Sequence, residues 1–374
     1  MKRVVRGLVV IGCSLFSAAP MGAQARWTVD AAPVLDIKGV NDKGDVAFGV
    51  ALGATRLSSG ALVVLDGGQP GLKFFDAKGQ LSKTVGRAGQ GPGEFRYVLW
   101  MGQCAKDTLF VWDPPQQRMT VFDAGGTVVT SFRPTGGEVL WLACSRSGAV
   151  GYAGTPPREG TVRSVPQGAT YAFLSGESKI VLIDTKGAET ATLADALGVE
   201  MVLPGRGGFP RPLGRPMSFA ISATRVFVAA TDSTAVHVYG LDGKRLSAIP
   251  VRVPPRKPTK AQYEAATDVI LLVAPPQVRE QARKLLLEIP APEQLPPFSA
   301  IFTDQEGMLW VQLTVPGDAD TQFRVLRADG QAVADVRVPI NLTIHEIGAD
   351  YIVGSRQDDD GEQHVVMYRL HRGR

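Results

Sequence analysis

Residues 85–98 read VGRAGQGPGEFRYV, a glycine-rich segment of the kind that can bind phosphate through backbone amides. A P-loop needs Lys and then Ser or Thr after its last glycine, but Glu94 and Phe95 follow here, and no helical pattern comes next, as a dinucleotide site requires. The segment is therefore predicted to be a tight connector with Phe95 as an apolar plug. The alternative is an anion site at the mouth of a channel, with Arg87 and Arg96 as its contacts.

The histidines and acidic residues form no local motif of a metal or catalytic centre. The chain has four histidines: His237, His345, His364 and His371. None belongs to an H-E-x-x-H motif, and no C-x-x-C or G-x-S-x-G occurs. The run DDDG at 358–361 resembles a calcium loop, but the EF-hand register would put Arg356 at the first ligand position, so a solvated turn is predicted. We predict no catalytic residue, no metal ligand and no cofactor.

Two cysteines and two tryptophans occupy matching places along the chain. Cys104 follows Leu-Trp100, and Cys144 follows Leu-Trp141. In an oxidising compartment such a pair forms a disulfide if the Cα atoms come within about 7 Å, and two buried thiols are the alternative. Trp100 and Trp141 are candidates for an aromatic ligand-binding rim, with core packing as the alternative.

A cluster of arginines lies among glycines and prolines further along the chain. Arg206, Arg211 and Arg215 occur in the segment GRGGFPRPLGR. Arg206 is a candidate ligand contact, and a solvated connector is the alternative.

These candidates must be positioned by a repeated β-unit. Residues 61–79 align with residues 108–126, each with an apolar strand ending in Asp, a second strand and a D-x-x-G turn. The pattern recurs in weaker form to give six units of about 50 residues each, the size of a four-stranded propeller blade. An all-β, six-bladed propeller is predicted over 26–374, in which the segment 27–52 completes the last blade.

Residues 252–298 differ from the repeats and are predicted to be a helical insert between the fourth and fifth blades. Thr259 and Gln262 form a capping box, and five apolar residues follow at helical spacing. These five are Val278, Ala282, Leu285, Leu286 and Ile289. The insert is either a lid or partner-binding element, or it packs on the side of the ring.

The glycine segment and the following DTLFVWDPPQQRMTVFDAGGTVV resemble the NHL repeat and related six-bladed propellers exported by bacteria. The resemblance covers 26–374 and implies the fold and export. Such propellers bind ligands or partners at one mouth of the central channel, and some relatives are lyases or lactone hydrolases with a bound metal. Fold likeness alone does not choose among these functions.

The N-terminus has the order of a secretory signal, a basic start followed by an apolar run and Ala-Gln-Ala before Arg26. Cleavage after Ala25 is predicted, with a lipid anchor at Cys13 as the minority alternative. The chain has 40 basic and 36 acidic residues, and three of the cations lie in the signal, so the exported chain is almost neutral. A nucleic-acid partner is therefore excluded, and no transmembrane span is expected.

The function predicted from the sequence is a secreted or periplasmic, monomeric propeller that binds an unidentified small ligand or a protein. The alternative is a metal-dependent hydrolase or lyase with its site at the channel mouth, holding calcium or zinc through ligands contributed by several blades.

Overall fold

The computed structural model describes residues 27–373 except 41–45, 135–138, 140, 154–161, 168–170, 205–207, 231–233, 273, 275 and 340. The predicted signal at 1–25, including Cys13, and the candidate Arg206 lie outside the described residues. No helix in the described part of the chain is both long and apolar enough to cross a membrane.

The first part of the chain forms the two repeats that align best in the sequence. The strands are β1 (Thr28–Val29), β2 (Leu35–Lys38), β3 (Ala51–Arg56), β4 (Leu62–Asp66), β5 (Gly71–Phe75), β6 (Leu81–Val85), β7 (Arg87–Ala88), β8 (Glu94–Phe95), β9 (Trp100–Ala105), β10 (Thr108–Asp113), β11 (Arg118–Phe122) and β12 (Val128–Phe132), with a 3-10 turn at Pro114–Gln116. Strands β3–β6 form one antiparallel sheet and β9–β12 the next. Gly79 and Gly126 close the D-x-x-G turns with φ of +80° and +75°, which favours glycine.

The third sheet is interrupted by an additional sheet that the sequence did not predict. The strands are β13 (Trp141–Cys144), β14 (Val150–Ala153), β15 (Val162–Ser164), β16 (Tyr171–Ser175), β17 (Glu177–Ile183), β18 (Glu189–Leu197), β19 (Met201–Pro204) and β20 (Phe209–Pro210). Strands β13, β14, β17 and β18 continue the series of repeats, whereas β15, β16, β19 and β20 pair with one another. The long connections in this region therefore build an accessory sheet.

The last part of the chain contains three more sheets and both helices. The elements are β21 (Phe219–Ile221), β22 (Arg225–Ala230), β23 (Ala235–Gly240), β24 (Arg245–Pro250), α1 (Lys260–Leu271), α2 (Pro276–Leu287), β25 (Ala300–Thr303), β26 (Leu309–Gln312), β27 (Thr321–Leu326), β28 (Ala332–Val338), β29 (Thr343–Ile347), β30 (Tyr351–Gln357) and β31 (Gln363–His371). Strands β21–β24, β25–β28 and β29–β31 form the sheets.

The helices lie within the predicted insert and pack on the accessory sheet. The capping box is present, because Thr259 Oγ1 accepts from Gln262 N at 3.2 Å and Gln262 Oε1 accepts from Thr259 N at 2.8 Å. Leu286 and Ile289 are buried in a cluster with Val202 of β19. The predicted apolar face is only partly buried, since Val278 and Leu285 are 43% and 36% exposed.

The two ends of the chain join in one sheet, as the sequence predicts. β31 pairs with β30 on one side and with β1 and β2 on the other. Arg372 reinforces this junction, since its guanidinium lies over the Trp27 ring at 4.6 Å and 2.9 Å from the fully buried Asp304 carboxylate. Such pairing covers the edge that the last sheet would otherwise expose.

In the described part of the chain, successive sheets follow one another around a central axis, and their innermost strands contact one another. The contacts join β3 with β9, β9 with β13, β13 with β21, β21 with β25 and β29 with β3. A backbone hydrogen bond of 3.1 Å from Gln305 to Ile347 connects the fifth sheet to the sixth. The described chain is thus an all-β, propeller-like fold with two helices, and its apolar cores lie between neighbouring sheets.

Candidate functional site

A cavity of about 730 Å³ runs between the six innermost strands. Its wall is formed by residues of β3, β9, β13, β21, β25 and β29 and by the turns that follow β13, β21 and β25. This volume falls in the range of pockets that hold small-molecule ligands, about 300–1,000 Å³. The central cavity is therefore the candidate site.

One mouth of the cavity is organised around the carboxylate of Glu346, at the end of β29. Glu346 Oε1 accepts from Arg146 Nη2 at 2.6 Å and from Gln305 Nε2 at 2.7 Å, and also from the hydroxyl of Tyr351. Its Oε2 accepts from the backbone N–H of Arg56 at 3.0 Å and from the hydroxyl of Thr55. One carboxylate, 11% exposed, thus receives five donors from four different sheets, an arrangement that fixes the geometry of this polar mouth.

The electrostatics of the polar mouth follow from this network. Burial, followed by the neighbouring Glu346 carboxylate, raises the pKa of the Tyr351 hydroxyl, so the hydroxyl stays a donor. The Arg146 side chain is about one-third exposed and also donates to the Arg56 carbonyl at 3.0 Å. A ligand entering at this mouth meets a guanidinium whose charge is already paired, together with amide and hydroxyl groups.

A β-bulge places His345 in the cavity wall. The register between β29 and β30 pairs Ile344 with Gly354 and Glu346 with Val353, which leaves His345 as the extra residue. His345 Nε2 lies 2.9 Å from Ser355 Oγ. Burial lowers the pKa of His345 to about 4, so the ring is neutral at pH 7. It offers a hydrogen-bonding group that is fixed by its serine partner.

The opposite mouth of the cavity is aromatic. Trp100 and Trp141 are the first residues of β9 and β13, and both line the cavity and are half-buried. Gln103, three residues further along β9, lies 3.1 Å from Thr55 at the polar mouth, so Trp100 stands about 10 Å away along the strand. Both tryptophans thus lie in the wall of this cavity, and each also packs against an apolar core between sheets.

Gly102 gives the Trp100 ring the space that it occupies. A Cβ atom at this position would lie 2.5 Å from two ring carbons of Trp100 and 2.7 Å from Cys144 Sγ. Any larger residue would therefore displace the indole or the neighbouring sulfur. The conformation of the aromatic wall depends on this glycine.

Cys104 and Cys144 form a disulfide beside this wall, with their Cα atoms 5.2 Å apart. The bond joins β9 to β13 and hence two neighbouring sheets. Cys144 lines the cavity, whereas Cys104 is fully buried. The cross-link fixes the relative position of the strands that carry Trp100 and Trp141.

The backbone N–H groups of the glycine-rich segment bind the carboxylate of Glu94, a residue of the same segment. Glu94 Oε2 accepts from the backbone N–H of Gly91 at 2.8 Å and of Gln90 at 3.1 Å. These bonds, with the Gly91 N–H first and the Arg87 side chain next, lower the pKa of the Glu94 carboxyl. A Cβ at Gly89 would lie 2.2 Å from that carboxylate. The glycines therefore provide room for Glu94, and Phe95 is fully buried in the core between the first two sheets.

The predicted arginine contacts do not join the tryptophans in the cavity wall. Arg87 pairs with Glu94 at 2.7 Å and is 81% exposed. Arg96 is exposed, and its backbone N–H donates to Asp113 at 2.8 Å. Neither lines the central cavity. Arg211, from the same cluster as Arg206, pairs with Glu200 at 2.7 Å and lies 4.2 Å from the Phe173 ring in the accessory sheet.

The acidic side chains of the cavity wall are engaged by protein donors. Besides Glu346, Asp304 accepts from Trp310 Nε1 at 2.9 Å and from two backbone N–H groups, and it pairs with Arg372. In the described part of the chain, the only cluster whose ligand atoms are close enough to share a metal lies outside this wall, at residues 358–364.

The decisive polar residues of the cavity were not found from the sequence. Arg146, Gln305, His345 and Glu346 belong to no motif, and they come from three separate places in the chain: the turns after β13 and β25, and the strand β29. The adjacent pair His345-Glu346 within β29 is the one local signal, because two polar residues in succession interrupt the alternation of that strand. The bulge explains that interruption.

No known family matches the sequence, so the NHL resemblance stays a prediction. No curated protein sequence matches either.

One solved structure that resembles the chain is a Bacteroides fragilis NCTC 9343 protein whose name calls it exported. Its sequence identity is 12% and its TM-score is 0.47, and the alignment covers 94% of this chain and 98% of that one. A member of the DUF4221 family from Bacteroides vulgatus has 11% identity, a TM-score of 0.49 and coverage of 94% and 100%. The calcium-binding protein regucalcin from Agrobacterium tumefaciens has 13% identity, a TM-score of 0.41 and coverage of 88% and 93%.

Proposed function

We propose that this chain is an exported, six-bladed propeller that binds an amphipathic small molecule in its central channel. The observation that carries the proposal is the polarity of the cavity wall, which is aromatic at one mouth and hydrogen-bonding at the other. A preformed cavity with a few fixed polar groups and an apolar remainder is typical of small-ligand sites. The apolar part of the ligand lies against Trp100 and Trp141, and its polar part lies towards His345 and Arg146.

Rigidity supports binding at this position. The disulfide between Cys104 and Cys144 and the five bonds to Glu346 hold the wall in place before any ligand arrives. Preorganisation of this kind reduces the entropy lost on binding. Arg87, Arg96 and Arg206 are not needed in this proposal.

A binding role is favoured over the alternative of a metal-dependent hydrolase or lyase with its site at the channel mouth. The carboxylates of Asp304 and Glu346 already accept from several protein donors, and a metal would have to displace these bonds. The proposed export rests on the N-terminal signal pattern of the sequence.

The test uses 8-anilinonaphthalene-1-sulfonate as an amphipathic probe, with its fluorescence measured against probe concentration. Saturable binding of one probe per chain is expected, and replacing both tryptophans by alanine (Trp100→Ala, Trp141→Ala) weakens it at least about tenfold, since each aromatic contact contributes about 1 kcal/mol. Val129→Ala removes an exposed apolar side chain from an outer strand and serves as the control. Equal affinity in all three proteins would place the binding outside the channel and contradict the proposal.

A further inference from the structure

The turn between β30 and β31 brings together three groups that can bind a metal. Oxygen atoms of Asp358 and Glu362 and a ring nitrogen of His364 lie within 4.8 Å of one another. None of these three residues lines the central cavity, so the cluster is separate from the proposed ligand site.

His364 is buried and is oriented by a carboxylate from the N-terminal strand β2. Its side chain is only 6% exposed, and Nδ1 lies 2.6 Å from Asp36 Oδ1. The other oxygen of Asp36 accepts from Arg356 Nη2 at 2.9 Å, which holds the carboxylate in place. A histidine that donates one ring N–H to a carboxylate is the usual arrangement around a metal-binding imidazole, because it fixes the tautomer and directs the second nitrogen to the ion.

The second ring nitrogen of His364 faces an acceptor. The nearest oxygen to Nε2 is Asp358 Oδ2 at 3.3 Å, which is long for a charge-assisted hydrogen bond of about 2.7–2.9 Å. The 2.6 Å contact at Nδ1 is the shorter one, so Asp36 holds that side of the ring and Nε2 is directed at the acidic cluster. A cation between Nε2 and Asp358 would bind both groups at once.

The charges around the cluster favour a cation. The turn adds Asp359 and Asp360 to the two ligand carboxylates, and both are exposed. The nearby positive groups are Arg356, which is paired with Asp36, and Lys38, whose backbone lies opposite His364 in the sheet and which has an interaction of its own.

We propose that Asp358, Glu362 and His364 bind one divalent first-row transition metal ion at the junction of the chain ends. The buried imidazole decides the class of metal, because calcium and magnesium prefer oxygen ligands alone whereas zinc accepts His with Asp or Glu. Two ligand atoms that are each about 2.0–2.2 Å from zinc are at most about 4.4 Å apart. The three groups lie within 4.8 Å of one another, so a small rotation of the two carboxylates brings them to binding distance. Water completes the coordination, since Asp358 and Glu362 are part-exposed.

Such an ion would stabilise the closure of the ring. Its ligands belong to the β30–β31 hairpin, and its supporting carboxylate, Asp36, belongs to β2. Metal binding would therefore tie the N-terminal strand to the C-terminal strands through His364, and the folded chain would gain stability with metal concentration.

The experiment measures zinc binding to the chelator-treated full chain by isothermal titration calorimetry, with the thermal unfolding midpoint as a second readout. One zinc per chain and a raised midpoint are expected, with calcium giving neither at the same concentration. Glu362→Gln, at a part-exposed turn position, is expected to weaken zinc binding at least about tenfold, and Asp36→Asn by about ten- to a hundredfold through the misplaced imidazole. Asp359→Asn is the matched control, since it removes a charge from the same turn without a place in the cluster, and it should bind like the wild type.

Three results would overturn the proposal: no stoichiometric zinc uptake, uptake unchanged by Glu362→Gln, or a ¹⁵N spectrum in which both His364 nitrogens keep a proton throughout the zinc titration. Glu362→Gln is expected to fold, because its side chain is not part of a core, so a loss of binding there reports on the site itself. The outcome is independent of the channel ligand, whose binding is measured at Trp100 and Trp141.

Discussion

Arg146 Nη2 lies 2.6 Å from Glu346 Oε1 and thereby joins the turn after β13 to the end of β29 at the polar mouth of the channel. The two residues are 200 positions apart in the chain. Their contact belongs to a network in which Glu346 accepts from five donors, so the carboxylate both closes the ring and shapes the candidate site.

Replacing Glu346 by glutamine should destabilise the fold by about 3 kcal/mol, because five donors lose a largely shielded negative partner. Arg146→Met should lower the free energy of unfolding by less than Glu346→Gln does, since Glu346 keeps four of its five donors. Arg324→Met removes an arginine from the exposed pair with Asp335 and is expected to change stability by no more than about 0.5 kcal/mol. Urea unfolding measures all three. A cost for Glu346→Gln no larger than that of Arg324→Met would contradict the assigned role of the network.

His345 should make stability fall as the pH drops from about 6.5 to 4. Burial lowers its pKa from 6.5 to about 4 in the folded chain, so in this window the unfolded chain binds a proton that the folded chain excludes. The stability contributed by the neutral ring is therefore complete above pH 6.5 and is lost progressively below it, by on the order of 3 kcal/mol at pH 4. Denaturant unfolding of the wild type and of His345→Gln across this range measures the effect. The variant should lose less unfolding free energy between pH 6.5 and 4 than the wild type does. Parallel pH curves for the two proteins would show that His345 is not the group responsible.

Removing the Cys104–Cys144 disulfide should lower the free energy of unfolding by about 4 kcal/mol, the value expected for two cysteines 40 positions apart. The double variant Cys104→Ala, Cys144→Ala tests this by guanidinium unfolding. A reducing agent should reproduce the loss in the wild type and leave the variant unchanged. If the reductant affects both proteins alike, the effect does not come from this bond.

Arg372→Ala should open the junction of the chain ends. The fully buried Asp304 would lose its cation, and Trp27 would lose the guanidinium that lies over its ring, at a cost of about 2–3 kcal/mol. Arg369→Ala provides the control, because Arg369 is an exposed arginine of β31, three residues before Arg372. Thermal unfolding measures both, and hydrogen exchange should show faster opening of β1 and β31 only in the first variant.

Gly102→Ala should disturb the aromatic mouth without altering the polar one. The added methyl group would lie 2.5 Å from the Trp100 ring, so the indole must move and its fluorescence should change. Probe binding in the channel should weaken at the same time. Gly53 is the matched control, because its added Cβ would meet neighbours at 3.6 Å or more, and Gly53→Ala should leave the emission of Trp100 as it is.

Much of the scaffold could be predicted from local patterns. The D-x-x-G turns, the aligned strands at 61–79 and 108–126, the helical insert and the pairing of the N-terminal segment with the last sheet all follow from short-range rules of turns, strand alternation and capping. The accessory sheet escaped prediction because its strands are short, and β15–β16 pair with β19–β20 across an intervening hairpin of the third sheet.

The sequence by itself determined the strands and turns, and with them the all-β class, because turns and alternating strands depend on neighbours only a few residues away. Only the tertiary structure decided the site. Thr55 and Glu346 are 291 positions apart, yet their side chains meet at one mouth of the channel. No local spacing encodes such a meeting, since the closure of the ring and a one-residue bulge at His345 set it.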